Sequence, residues 1–134
     1  MKLVSAVLCL LLALLAPGCS NPSENLETLP MILGEWRRTA VENIPAEEHT
    51  QELKRMGIKR SRRAFYEKNG ERVDVSIYQY GASAAAFEMV QKWRPQPGSI
   101  ATSKGTYFIV LSSKTAPATT LNAVASLVEG NLRE

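Results

Sequence analysis

The hydrophobic pattern of the chain changes character along its length. Residues 3–16 form a 14-residue apolar run in which Ser5 is the only polar side chain. A bilayer-spanning helix needs about 20 apolar residues. With Lys2 in front of it, the run therefore reads as the h-region of an export signal over residues 1–18. The stretch SNPSENLET that follows is polar and contains Pro22, the composition of a short tether over residues 19–28. A single folded domain is placed over residues 29–134.

Within that domain the apolar spacing predicts alternating element types. Residues 34–41 read as a first strand with Trp36 as its inward anchor. Pro45 opens a short helix at its preferred first position and Gly57 closes it; His49, Leu53 and Met56 share one face at spacings of four and three. Residues 62–68 and 71–80 flank Asn69-Gly70, the pair that best supports a type I′ hairpin turn. In the second strand of that hairpin Val73, Val75 and Ile77 alternate with Arg72, Asp74 and Ser76. Ser83 can cap a helix running to about Trp93, with Ala86, Phe87, Val90 and Trp93 as its stripe and Pro95 and Pro97 as its stop. The run TYFIVL at residues 106–111 suits a central strand. Thr120 caps a last helix striped by Leu121, Val124, Ala125, Val128 and Leu132. The order β-α-β-β-α-β-α, with a hairpin in the middle, predicts an α+β fold: an antiparallel sheet of about four strands with helices packed on it.

Composition narrows the classes. At 134 residues there is room for one small domain with a real core, and none for a multi-domain enzyme or a polytopic membrane protein. Catalytic side chains are scarce, with a single His, a single Asp and two cysteines. A Ser-His-Asp arrangement would have to use His49 and Asp74, and no Gly-x-Ser-x-Gly elbow is present. Metal ligation would draw on Glu47, Glu48, His49 and Glu52, a weak set for a transition metal and without a calcium-loop pattern; no metal and no cofactor are expected. No glycine-rich phosphate cradle occurs. Glu67, Glu71 and Asp74 lie on or beside the hairpin, where a surface ion pair is the expected role for Asp74 rather than acid–base work. Among the aromatics, Trp36, Phe65, Phe87, Trp93 and Phe108 are expected to pack in the core, while Tyr78 and Tyr80 could line a groove.

Charge adds one feature. Lys54, Arg55, Lys59, Arg60, Arg62 and Arg63 place six cations in ten residues, although the net charge is only +3. An extracytoplasmic location disfavours nucleic acid as the partner. Anionic lipid headgroups, acidic glycans or an acidic protein face are the reachable partners. The plainer alternative is a solvated helix end whose cations suit the negative pole of the dipole.

The segment Leu14-Leu15-Ala16-Pro17-Gly18-Cys19-Ser20 resembles the bacterial lipoprotein signal, in which small residues precede a cysteine that becomes the lipidated N-terminus. That resemblance implies lipidation of Cys19, removal of Cys9 with the leader, and a domain without thiol or disulfide. Two or three acyl chains anchor firmly where one does not. In a Gram-negative host, Ser20 after the cysteine resembles the address for the periplasmic face of the outer membrane. The start Leu29-Pro30-Met31-Ile32-Leu33-Gly34-Glu35-Trp36 resembles the LP-x-x-LG-x-W opening of uncharacterised exported lipoprotein families and, more distantly, of exosortase-associated proteins. Residues 73–87 (VDVSIYQYGASAAAF) resemble the strand-turn-helix of the same families. This similarity implies a compact sheet-and-helix domain, similar to the PsbP-like fold, and no catalytic residues.

The expectation is thus a lipid-anchored protein of the bacterial cell envelope acting as a non-catalytic binding or accessory module. Two alternatives stand beside it. One is a protein–protein adaptor in an envelope or polysaccharide-export assembly; the other is a small hydrolase using Glu67, Asp74 or His49.

Overall fold

The computed structural model describes residues 29–133, so the signal segment, the tether and Cys19 lie outside the described residues. The chain folds around its central hairpin. Strands β3 (Ile58–Lys68) and β4 (Glu71–Tyr80) pair antiparallel from Lys68↔Glu71 back to Ile58↔Tyr80. The turn between them has positive φ at both Asn69 (49°) and Gly70 (80°), the type I′ geometry that matches the twist of the strands. Strand β2 (Trp36–Asn43) pairs with the outer side of β3, and β6 (Tyr107–Ser112) with the outer side of β4.

Two further strands make the sheet six-stranded and antiparallel throughout, in the order β1-β2-β3-β4-β6-β5, where about four were expected. Strand β1 (Ile32–Leu33) is a two-residue extension inside the LP-x-x-LG segment. Strand β5 (Ser99–Lys104, SIATSK) is half-exposed along its whole length. An edge strand has one paired side and need not show an apolar face, which hides it from a periodicity reading. Entry to β5 is fixed by Gly98 at φ +72°, where a Cβ would collide with the Ser113 carbonyl oxygen. The architecture is α+β, and its order is β-β-α-β-β-α-β-β-α rather than the predicted one.

Helices cover both faces of the sheet. Helix α3 (Ala118–Asn131) buries Leu121, Val124, Ala125 and Val128 against Val73, Val75, Ile77, Ile109 and Leu111. The opposite face holds a second core: Leu53 of α1 (Gln51–Arg55) and Ala86 and Met89 of α2 (Ser83–Lys92) pack on Tyr78, Tyr80 and Phe108. Being covered on both sides explains why β6 reads as an unbroken apolar run.

Several boundaries differ from expectation. Helix α3 starts earlier, with Pro117 rather than Thr120 at its cap, and α2 starts at Ser83 behind Ala82. The segment from Pro45 is a 3-10 turn (Ala46–Glu48), and the true α1 follows it, capped by the Thr50 hydroxyl, which accepts from the Leu53 N–H at 3.3 Å. Phe87 is 56% exposed, because α2 turns Ala86 and Met89 inward and Phe87 points about 100° away from Ala86. Phe65 is half-buried on the uncovered end of the sheet, beneath the Arg72 guanidinium at 4.2 Å. Tyr78 and Tyr80 are buried in the second core, Tyr78 at the floor of a hollow on that face and Tyr80 enclosed.

Candidate functional site: a cationic cleft at the end of β3

Strand β3 is longer than its neighbour. The last β2–β3 pair is Asn43↔Arg62, and the Ile44 N–H donates to the Ser61 carbonyl at 3.3 Å. Beyond that point the chain leaves the sheet through residues 44–57 before returning as β3. Residues 58–60 thus pair with β4 alone among the described strands, with an irregularity in the register beside Lys59. A cleft of about 980 Å³ opens there, lined by Asn43, His49, Lys54, Lys59, Arg60, Ser61 and Arg62 with a few apolar neighbours. Because it lies at a strand edge, side chains from both faces of β3 reach it.

Four members of the sequence cluster therefore converge: Lys54 from α1, and Lys59, Arg60 and Arg62 from β3. The other two do not line the cleft. Arg55 is exposed on α1. Arg63 binds Glu42 Oε1 at 3.4 Å, Glu48 Oε2 at 3.0 Å and the Ser76 hydroxyl at 3.2 Å. Its charge is spent in tying the 3-10 turn and β2 to β3. Within Arg62 the Nε atom is buried and meets no acceptor. Like charges brought together in one concavity focus a positive potential on it.

Ser61 is the hub that sequence reasoning missed. Its hydroxyl donates to the Ile44 carbonyl at 3.3 Å and lies 2.8 Å from His49 Nε2. Which of the two groups donates in the Ser61–His49 contact is set by the imidazole tautomer. His49 also stands edge-on to Tyr78, with ring centroids 6.1 Å apart. The only local signal for Ser61 was that a small polar residue interrupts the cations.

The carboxylates proposed for chemistry lie elsewhere. Asp74 pairs with Phe65, four residues along β3 from Ser61, or about 13 Å at the usual strand rise. It accepts from Arg72 Nε at 2.7 Å, the surface ion pair expected of it. Glu67 faces Arg72 across the hairpin. The structure brings His49 together with neither Glu67 nor Asp74. Among the described residues no group of three or more His, Cys, Asp or Glu is placed to hold a metal.

In comparison with known proteins, no family model, no curated protein and no solved structure matches the chain. The site has to be read from its own chemistry.

Proposed function

We propose that this protein is a lipid-anchored, non-catalytic binding module of the bacterial envelope, held to the membrane through Cys19 and binding an anionic partner in the cationic cleft. One observation carries the binding part: Lys54, Lys59, Arg60 and Arg62 come from two elements to line a single cleft, while Arg63 of the same cluster is diverted into ion pairs. Such a set suits carboxylate, phosphate or sulfate groups, since arginine offers forked donors and lysine a mobile point charge. The anchoring part is supported by the leader and Cys19, and by two apolar residues at the root of the tether, Met31 (63% exposed) and Ile32 (55% exposed). Among the described residues no helix is long and apolar enough to cross a membrane. The LP-x-x-LG-x-W start, similar to that of exported lipoprotein domains, supports the same reading.

The test compares a Lys54→Gln/Lys59→Gln/Arg60→Gln variant with Arg55→Gln. Binding is measured to phosphatidylglycerol vesicles, alginate and polyglutamate as three separate probes. The cleft variant should lose about tenfold or more on at least one probe, equivalent to about 1.4 kcal/mol, while Arg55→Gln stays close to wild type. Equal losses in both variants would reduce the cluster to general surface charge, and no loss in either would overturn the binding reading. Anchoring is read separately: labelled fatty acid should be incorporated by the wild type and not by Cys19→Ser.

A further inference from the structure

On the second-core face, between α1 and the C-terminal end of α2, lies a hollow of about 330 Å³. Its floor is the cross-strand pair Tyr78↔Phe108, ring centroids 5.8 Å apart, and Trp93 stands against Phe108 at 6.0 Å. Leu53, Met89 and Val110 complete the apolar lining. The hollow exists because Pro95 and Pro97 cannot continue α2, so the sheet beyond Trp93 is left without a helix over it.

The rim is polarised. The α1 side carries Glu48 and Glu52, and the α2 side carries Lys92 and Arg94. Glu48 is engaged by Arg63, and Lys92 by Glu88 at 2.7 Å. Glu52 and Arg94 are exposed and enter no ion pair among the described residues, which leaves one acid and one base facing a shared aromatic floor from different elements. The Trp93 indole Nε1–H is buried without an acceptor.

From these features we propose that the hollow is a second ligand site, distinct from the cationic cleft, for a small zwitterion with an aromatic or bulky apolar side chain: a free amino acid of the phenylalanine class. The ring rests on the half-buried Trp93 and Val110, above the buried Tyr78 and Phe108, the ammonium faces Glu52, and the carboxylate faces Arg94. The volume lies at the lower end of small-molecule pockets, about 300–1,000 Å³, which favours a ligand of amino-acid size over a polymer. This assignment does not rest on the cleft or its anionic partner.

The experiment follows the Trp93 indole N–H resonance of the full chain, reconstituted in lipid nanodiscs, during titration with L-phenylalanine, phenylacetate and phenethylamine. L-phenylalanine should shift that resonance saturably below about 1 mM and bind about tenfold or more tightly than either half-charged analogue. Glu52→Gln should weaken L-phenylalanine and phenethylamine and leave phenylacetate unchanged; Arg94→Gln should weaken L-phenylalanine and phenylacetate and leave phenethylamine unchanged. Both substitutions are on exposed side chains, so the fold persists in each. No saturable shift, equal binding of all three compounds, or loss of all three in both variants would overturn the assignment.

Discussion

Val73, Val75 and Ile77 of β4 alternate with Asp74, Ser76 and Tyr78, and the two sets face different environments. On the α3 side a continuous apolar core is bordered by polar groups that mostly find partners: the Tyr66 hydroxyl donates to the Pro30 carbonyl at 2.7 Å and the Thr102 hydroxyl to Glu129 Oε1 at 2.7 Å, with the buried Arg62 Nε as the exception. On the α1/α2 side the core covers only part of the sheet and gives way to charged side chains about Arg72 and Asp74. That side also contains two buried polar atoms without partners, Tyr80 Oη and Trp93 Nε1. Unsatisfied buried groups cost stability, and uncovered sheet exposes side chains to ligands. The α3 face is closed over a continuous core. The other retains the irregularities from which binding sites are made.

The largest expected contrast is in core truncation. Ile109→Ala, fully buried under α3, should cost about 3–5 kcal/mol, near the upper part of the range for large-to-small changes. Leu53→Ala should cost about 2 kcal/mol, because α1 has only five residues and can settle into the space left. Urea unfolding of both variants checks the order; equal costs would break the distinction between the faces.

A smaller contrast concerns the two tyrosines. Tyr66→Phe should cost about 1 kcal/mol by releasing Pro30, whereas Tyr80→Phe should be neutral or slightly stabilising, since it removes a hydroxyl that has no partner. The same denaturation series reads both, and a larger loss for Tyr80→Phe would show that its hydroxyl has a partner in solution.

A pH dependence is common to the two faces. Burial pushes both Tyr66 and Tyr80 up to about 12, against about 10 in an unfolded chain. A folded-state value above the unfolded one contributes fully below pH about 10 and is lost as pH rises towards about 12. Unfolding midpoints should therefore fall across that alkaline window, and the fall should be shallower in Tyr80→Phe. An unchanged slope in that variant would remove Tyr80 as a contributor.

Much of the fold was legible in local pattern. Asn69-Gly70 announced the hairpin, the alternation at 73–77 named the face of β4 that meets α3, and the stripe from Leu121 to Leu132 named the face of the last helix. The misreadings have specific causes. Strand β5 lacks an apolar face because β6 supplies its pairing. Phe87 looked like core because it is apolar, yet the helix phase set by Ala86 and Met89 turns it outward. For the candidate site, the six cations were visible as a cluster, but their division was not: Arg63 is taken by Glu42 and Glu48, and Ser61 joins His49 and Ile44 at the floor.

The sequence by itself determined the element types over most of the domain, the central hairpin and the apolar face of α3, because helix and strand periods and turn chemistry act over a few neighbouring residues. Only the tertiary structure decided which cations share a cleft, which polar atoms are left without partners, and that Glu52, Tyr78, Trp93, Arg94 and Phe108 surround one hollow. Those outcomes depend on register between strands and on where a 14-residue excursion and two prolines place α1 and α2 over the sheet. Long-range geometry of that kind leaves no periodic trace along the chain.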